Sequence, residues 1–240
     1  MSIFRIKIAD CVILIDSLYS QCQDFCRDFL TEDEPNFSIV STQGDIDSER
    51  ASYEAINGKY GSDGIIEIQV ISRKISEKIV DFGAFMMHGA AISVNNYAYI
   101  FTGHSGIGKT THILKWLMNV PNAQEINGDK PFIIPGKMPM ACSSPWAGKE
   151  KMYRNSVFPL KAIVLLQRAE DNEIKKVPLI DVFPELCQQI VRTDDIERTR
   201  KTLQMLKSLE PTVSFYRFNI NNFKDDCFDV AYNALVGKQK

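Results

Sequence analysis

The feature that most restricts the fold of this chain is an apolar stretch that runs into three glycines and a lysine, "YIFTGHSGIGKTTHILKW" at residues 99–116. Gly103, Gly108, Lys109 and Thr110 match the pattern G-x-x-x-x-G-K-S/T at every position. This pattern binds phosphate when a strand precedes it and a helix follows it, and both are expected here. We call residues 103–108 the glycine loop. The sequence predicts that it is a phosphate-binding loop (P-loop).

Each part of this segment has a chemical role in such a site. Glycines let backbone N–H groups turn toward phosphate oxygens, and the following helix adds its positive N-terminal end. Lys109 supplies a mobile charge for the β and γ phosphates, and Thr110 supplies a hydroxyl for Mg²⁺. The predicted nucleotide-binding residues are Gly103, His104, Ser105, Gly106, Ile107, Gly108, Lys109, Thr110 and Thr111. The alternative is a glycine-rich turn before a helix that binds nothing.

The segment before the glycine loop predicts an unusual sheet for a nucleotide-binding protein. "FMMHGAAISV" and "NNYAYIF" are expected to be strands that turn at Asn95 and Asn96, a dipeptide typical of hairpins. The common nucleotide-binding halves instead lead into the loop from a parallel strand joined by helical crossovers. We therefore predict an α/β fold with a mixed, partly antiparallel sheet and flanking helices, including one from Lys109 to about Asn119.

Residues 1–82 are predicted to form a small N-terminal α/β lobe, and residues 83–240 a kinase-like core that begins at Gly83. In the lobe we expect a strand within residues 3–15 and then a helix capped by Ser17, which turns Cys22 and Cys26 toward the core. A second helix is expected across residues 65–82, because apolar residues recur there every three or four positions. The structure of residues 45–64 stays open.

Composition limits the classes of partner. A chain of 240 residues that is 45% hydrophobic can bury a core, and its formal charge of −2 provides no basic surface for nucleic acid or an anionic membrane. The apolar run "CVILI" lies between Asp10 and Asp16 and is too short for a signal peptide or a spanning helix. The six cysteines lack metal-site spacing. We expect a cytoplasmic protein with reduced thiols, and a homo-oligomer is possible.

Carboxylates and histidines near the loop are the candidates for chemistry. Asp129, in "EINGDKPFII", could hold Mg²⁺ or accept a proton from an attacking hydroxyl, although an aspartate before Lys-Pro is also a common turn residue. His88 starts the strand that pairs with the one leading into the loop. Lone histidines beside small residues are usually structural, and His112, on the first turns of the loop helix, is equally ambiguous.

Four segments occur in an order that resembles a known family: "HGAAISV" at 88–94, "GHSGIGKTTH" at 103–112, "NGDKP" at 127–131 and "SPWAGK" at 144–149. Together they resemble the HPr kinase-like branch of the phosphoenolpyruvate carboxykinase-type P-loop proteins, in particular small bacterial members of unassigned substrate. The resemblance covers roughly residues 65–235. It implies a mixed core sheet, ATP with Mg²⁺ as ligand, and phosphoryl transfer to a hydroxyl.

The resemblance also implies roles for single residues. Asp129 corresponds to the family's general base and metal partner, so that Thr110 and Asp129 are the predicted metal ligands, and His88 corresponds to an active-site histidine. Lys149 would neutralise phosphate, with Trp146 shaping the wall, although Lys149 could equally be a surface lysine. With Lys109, these are the predicted catalytic residues.

Two departures from the family's pattern affect these predictions. Gly128 stands where the family usually has the first of two adjacent aspartates, so one possible metal or base carboxylate is missing. The R-G-L-G signature associated with HPr kinase itself is absent, and the first 80 residues do not match that enzyme's N-terminal domain. HPr is therefore not the expected substrate.

The leading hypothesis is an ATP- and Mg²⁺-dependent kinase that acts on a hydroxyl acceptor, either Ser or Thr of a peptide or protein or a small hydroxylated metabolite. A second hypothesis is a nucleotide-binding sensor or scaffold that has lost transfer, as the glycine at position 128 suggests. A third is a carboxykinase-type decarboxylating enzyme, which the short chain and the lack of a recognisable metal-binding Lys, His and Asp set disfavour.

Overall fold

The computed structural model describes residues 1–57, 61–190, 193 and 195–237, and within it Met1–Phe82 and Gly83–Lys240 are separate compact units. The described strands of the N-terminal unit are β1 (Ser2–Ile8), β2 (Cys11–Ser17) and β3 (Phe37–Val40). β2 pairs antiparallel with β1 and parallel with β3. The helices are α1 (Gln21–Phe25), α2 (Gln43–Asn57) and α3 (Asp63–Lys78), with 3₁₀ turns at Arg27–Phe29 and Ile79–Phe82.

The strand expected within residues 3–15 is present, but the segment forms a hairpin of two strands, β1 and β2. Strands β1 and β2 are joined by Ala9 and Asp10, which both have positive φ, 49° and 61°. Alanine rarely adopts this conformation, and it gives no turn signal in a sequence. Because the sequence shows no turn signal here, the alternating apolar residues of β1 and β2 resemble those of one continuous strand.

The start of the first helix is also different from the prediction. Ser17 is the last residue of β2 rather than a helix cap, and α1 begins at Gln21. The connection is held by Glu67 of α3, a fully buried carboxylate that accepts hydrogen bonds from the backbone N–H groups of Leu18 (2.7 Å) and Tyr19 (2.9 Å). A partner so distant in sequence leaves no local signal at the helix start.

Other predictions for this unit are confirmed. Cys22 and Cys26 are both buried, each with 1% exposure. The long helix is present as α3, which ends at Lys78 and continues as a 3₁₀ turn to Phe82. The segment left open is mostly occupied by α2, whose Ile46 packs against Ile66 and other residues of α3.

The unit Gly83–Lys240 contains a mixed sheet with helices on both faces. Its described strands are β4 (Phe85–Met86), β5 (Gly89–Val94), β6 (Tyr97–Thr102), β7 (Gln124–Asn127), β8 (Phe132–Ile134), β9 (Met140–Cys142), β10 (Val157–Arg168), β11 (Glu173–Val177) and β12 (Ser214–Ile220). The described helices are α4 (Lys109–Asn119), α5 (Phe183–Leu186), α6 (Ile196–Lys207) and α7 (Cys227–Leu235), with a 3₁₀ turn at Leu179–Asp181.

The strand order confirms a mixed sheet. It runs β4-β8-β9-β10-β6-β5-β7, and β12 lies between β10 and β11. Strand β6 is antiparallel to β5 on one side and parallel to β10 on the other, and β10 is parallel to β12. Strands β6, β10 and β12 therefore end at the same edge of the sheet, where the glycine loop follows β6.

The sheet is apolar on both faces because each central strand contributes to two cores. In β6, Ala98 and Ile100 pack in the cluster that contains Leu206 of α6. Tyr99 and Phe101 pack in the opposite cluster, which contains Trp116 of α4 and residues of α7. This double burial fixes the end of β6, and so fixes the start of the glycine loop. Among the described residues, no helix combines the length and apolar character needed to cross a bilayer.

The local signals next to the glycine loop were predicted correctly. Asn95 and Asn96 form the turn between β5 and β6 with positive φ angles of 51° and 64°, the conformation that two-residue hairpin turns require. Helix α4 has the predicted bounds, Lys109–Asn119.

Candidate functional site

The glycine loop connects β6 to α4 through a backbone path that side chains would obstruct. Gly103, Gly106 and Gly108 have φ angles of 144°, 75° and 99°. A Cβ at Gly103 would lie 2.8 Å from the backbone oxygen of Leu166, and one at Gly108 would lie 2.1 Å from the side-chain Nδ2 of Asn222. Gly103 and Gly108 are thus required by both conformation and space, whereas Gly106 is favoured by its conformation alone.

This close approach gives a testable prediction for Gly103. We expect Gly103→Ala to lower the free energy of unfolding by about 2–3 kcal/mol, because a rigid carbonyl blocks the new methyl and φ stays unfavourable. Gly136→Ala is the matched control, since Gly136 has a φ of 159° but a Cβ there would meet nothing within 4 Å. Urea unfolding of both variants measures the difference, and equal losses would contradict the steric argument.

Lys109 is the first residue of α4, and its ammonium group is held by the loop itself. The Nζ atom donates to the backbone oxygens of Gly103 (2.9 Å) and His104 (3.2 Å). The side chain is 8% exposed. Burial lowers the pKa of Lys109, and the negative charge of Asp129 opposes that shift. A partly desolvated ammonium attracts anionic oxygens strongly, because little water screens its charge.

Asp129 lies in the turn between β7 and β8, where its backbone is fixed on two sides. Asn127 Oδ1 accepts the N–H groups of Asp129 (2.8 Å) and Lys130 (2.6 Å), while Asp129 O accepts the N–H of Gly89 (2.8 Å). Asn127 is fully buried and donates through Nδ2 to the backbone oxygen of Ser144 (2.9 Å). The carboxylate is therefore carried by a rigid turn next to the start of β5.

His88 makes a direct contact with this carboxylate. Its Nε2 lies 3.1 Å from Asp129 Oδ1, and its Nδ1 lies 3.2 Å from Gln189 Oε1. The His88 backbone N–H also donates to Gln189 O (2.6 Å), and its carbonyl accepts from the hydroxyl of Thr102 (2.6 Å). The ring is thereby oriented at both nitrogens, with Asp129 on one side and Gln189 on the other.

Packing leaves no space for a side chain at Gly128, where the resembled family has the first of its two adjacent aspartates. A Cβ on Gly128 would lie 2.7 Å from the backbone oxygen of Ala147 and 3.3 Å from that of Met152. The segment that contains Trp146 and Ala147 is buried against this turn. A carboxylate at position 128 would require that segment to move.

One cavity of about 500 Å³ brings most of the predicted site residues together. The predicted residues that line it are His88, Ser105, Gly106, Gly108, Lys109, Thr110, Thr111, Asp129 and Lys149. Gly128, Gly148 and Glu150 line it as well, while Gly103, His104 and Ile107 belong to the adjoining loop. Its volume lies within the usual range for small-molecule sites.

Lys149 reaches this cavity from a different part of the chain. It follows Gly148, which has a φ of 81° and approaches the Cβ of Asp129. The Lys149 side chain is exposed, and Glu150 beside it lines the same cavity. Trp146, which belongs to the same segment as Gly148, is buried with 3% exposure. The wall is therefore formed by the backbone at Gly148 and by the two charged side chains.

Oxygen donors for a divalent cation are present in the cavity. The Thr110 hydroxyl and the Asp129 carboxylate both line it. In the part of the chain that the structure describes, no three His, Cys, Asp or Glu side chains gather as a metal site. Mg²⁺ bound with phosphates usually takes only one or two protein ligands, so this donor set fits it.

His112, by contrast, is a core residue. It is fully buried, its Nε2 accepts the Trp116 indole N–H (3.0 Å), and its ring packs edge-on against Phe101 and Phe218. Burial, reinforced by the charge of Lys115, lowers the pKa of His112 to about 3.

The buried His112 predicts a pH-dependent stability. Its folded pKa of about 3 lies below the ordinary value of 6.5, so between these limits the unfolded chain binds the proton that the native state excludes. The free energy of unfolding should therefore fall with pH below 6.5, by up to about 1.4 kcal/mol per pH unit from this group. Urea unfolding at pH 7 and 5 should show a smaller loss for His112→Gln than for wild type, and parallel losses would contradict the assignment.

Sequence reasoning missed three groups of contacts around the loop. Asn127 had a local signal, since Asn followed by Gly-Asp is typical of a side-chain-stabilised turn. Gln189 had none, because only the tertiary fold brings it to His88. Arg168, at the end of β10, donates to Gly106 O (3.1 Å), and Asn222, after β12, donates to Gly108 O (3.3 Å).

Comparison with known proteins adds little to this geometry. No family model matches the chain, and no curated protein matches it. Among solved structures it is similar to the HPr(Ser) kinase/phosphatase from Coxiella burnetii, with 10% identity and a TM-score of 0.38. The match covers 62% of this chain and 89% of that one. The likeness is distant, and the mixed α/β fold rests on its own strand order.

Proposed function

We propose that the unit Gly83–Lys240 binds ATP with Mg²⁺ in this cavity and transfers the γ-phosphoryl group to a hydroxyl acceptor. The observation that carries the proposal is the lining of one cavity by the glycine loop, Lys109, Asp129 and His88. Phosphoryl transfer depends chiefly on positioning and charge neutralisation. A glycine loop at a helix start, a buried lysine and an oriented carboxylate are the parts that such a reaction uses.

In this proposal the residues of the glycine loop bind the phosphates of the nucleotide, and Lys109 neutralises part of their negative charge. The loop N–H groups and the α4 N-terminus would hold the phosphates, while the Lys109 ammonium would leave the carbonyls of Gly103 and His104 for phosphate oxygens. Thr110 and Asp129 would hold Mg²⁺, which when bound neutralises charge on the β and γ phosphates. Lys149 adds positive charge at the cavity wall.

Asp129 would act as the general base. Its carboxylate takes the proton from the acceptor hydroxyl while that oxygen forms its bond to phosphorus, and the terminal bond to the departing nucleoside diphosphate breaks. His88 Nε2 lies 3.1 Å from Oδ1, and Gln189 Oε1 lies 3.2 Å from His88 Nδ1 and orients the ring. The acceptor is a hydroxyl of a peptide, a protein or a small metabolite.

A specific observation favours a second candidate, a nucleotide-binding sensor or scaffold without transfer. The turn leaves no space for a side chain at Gly128, where Ala147 O lies 2.7 Å from a Cβ. A site with a single carboxylate can bind nucleotide and still lack the metal or base arrangement that transfer needs.

Incubation with γ-labelled ATP and Mg²⁺ distinguishes these candidates. Purified protein is mixed with an extract of its native host, depleted of endogenous nucleotide, and the products are separated into protein and small-molecule fractions. The kinase proposal expects label in one acceptor fraction, dependent on the added protein. Binding of ATP without any labelled acceptor would support the sensor, and absence of ATP binding would overturn both.

A further inference from the structure

The residues that follow β12 lie at the same sheet edge as the glycine loop. Strands β6, β10 and β12 are parallel neighbours, so their carboxyl ends share one edge, which is where ligands of α/β sheets bind. Phe223 comes shortly after the end of β12 at Ile220 and is 99% exposed. Two strand spacings separate β6 from β12, about 10 Å at the usual interval.

The backbone that carries Phe223 is fixed, although its ring is in solvent. Asn222 donates through Nδ2 to Gly108 O (3.3 Å), and Lys115 of α4 donates to Asn222 O (2.8 Å). The Phe223 N–H donates to Asn221 Oδ1 (3.1 Å). These hydrogen bonds tie the backbone at Phe223 to the glycine loop and to α4, while the ring stays accessible to a ligand.

The order of the strands indicates how a bound nucleotide would be oriented along this edge of the sheet. His88 immediately precedes β5, which pairs with β6 on the side away from β10, and Asp129 follows β7, the next strand beyond β5. The transferring end of a bound nucleotide therefore faces β5 and β7. Its nucleoside end must then extend the other way, over the ends of β10 and β12.

We propose that Phe223 is the stacking platform for the base of the bound nucleotide. This inference rests on the proposed function, since it takes the phosphates to lie on the glycine loop. Every base offers a π face to an aromatic ring, so the contact adds affinity with little discrimination between purines. Arg168, which donates to Gly106 O, lies at the end of the intervening strand.

Binding of ATP, GTP and inorganic tripolyphosphate, each with Mg²⁺, tests this by calorimetry on the full chain. Phe223→Ala should weaken both nucleotides about tenfold, the scale of one lost base–aromatic stack, and leave tripolyphosphate unchanged. Phe223→Trp should retain affinity. Met118→Ala is the matched control, because Met118 is an 83% exposed apolar residue at the end of α4 opposite to the glycine loop.

The outcomes separate the two proposals. If wild type binds tripolyphosphate and Phe223→Ala binds ATP as tightly as wild type, the platform is wrong and the phosphate site stands. Equal weakening of tripolyphosphate and ATP would also overturn it, because Phe223 would then act through the loop. If wild type binds none of the three ligands, the proposed function fails and the platform fails with it.

Discussion

Lys109→Met is expected to remove most of the rise in melting temperature that ATP and Mg²⁺ give the wild-type protein. A ligand at a hundredfold excess over its Kd stabilises the native state by about 2.7 kcal/mol, or about 5–10 °C for a chain of this size. The Lys109 ammonium is buried between loop carbonyls and near Asp129. Its loss removes the loop cation placed to meet the phosphates, while methionine keeps the aliphatic stem.

The control must remove a lysine charge without touching the cavity. Lys161→Met does so, since the Lys161 ammonium lies over the Tyr97 ring, 5.2 Å from its centroid, and Lys161 does not line the cavity. Lys161→Met should keep the full rise in melting temperature with ATP and Mg²⁺. The phosphate-binding proposal fails if Lys109→Met shows the same shift as wild type, or if wild type shows none with millimolar ATP, GTP or ADP.

The sequence predicted best those features whose causes are local. The turn at Asn95 and Asn96 requires positive φ, which asparagine tolerates, and helix α4 combines a glycine start with a regular apolar face. The glycine loop itself is fixed by steric demands at Gly103 and Gly108 that only glycine meets. Such features are encoded within a few residues, so their bounds can be predicted.

Predictions were wrong where a distant residue decides the structure. The start of α1 depends on Glu67, which binds the Leu18 and Tyr19 N–H groups from α3. The sequence made no prediction for the pairing of β11, which lies against β12 rather than against its sequence neighbour β10. At the site, Asp129 and His88 were named from the sequence, whereas the contact of His88 Nδ1 with Gln189 Oε1 arises only in the folded sheet.

Asp129→Asn is expected to lower phosphoryl transfer about a hundredfold or more while ATP still binds. The amide keeps the size of the carboxylate and retains an oxygen at the position that faces His88 Nε2, 3.1 Å away, but it cannot take the acceptor proton. The Asn127 side chain holds the backbone of this turn and does not depend on the carboxylate. Transfer is measured with labelled ATP and the acceptor fraction, and binding by calorimetry.

Magnesium dependence separates the possible roles of the carboxylate. If Asp129 also holds the metal, Asp129→Asn should weaken ATP binding in the presence of Mg²⁺ and leave metal-free binding less affected, because a hard cation favours charged oxygen ligands. Asp181→Asn is the control, an exposed aspartate of the same unit outside the cavity, and should change neither quantity. Should wild type and Asp129→Asn bind ATP equally and neither label any acceptor from the native host, the base assignment is wrong, and the site is that of a sensor.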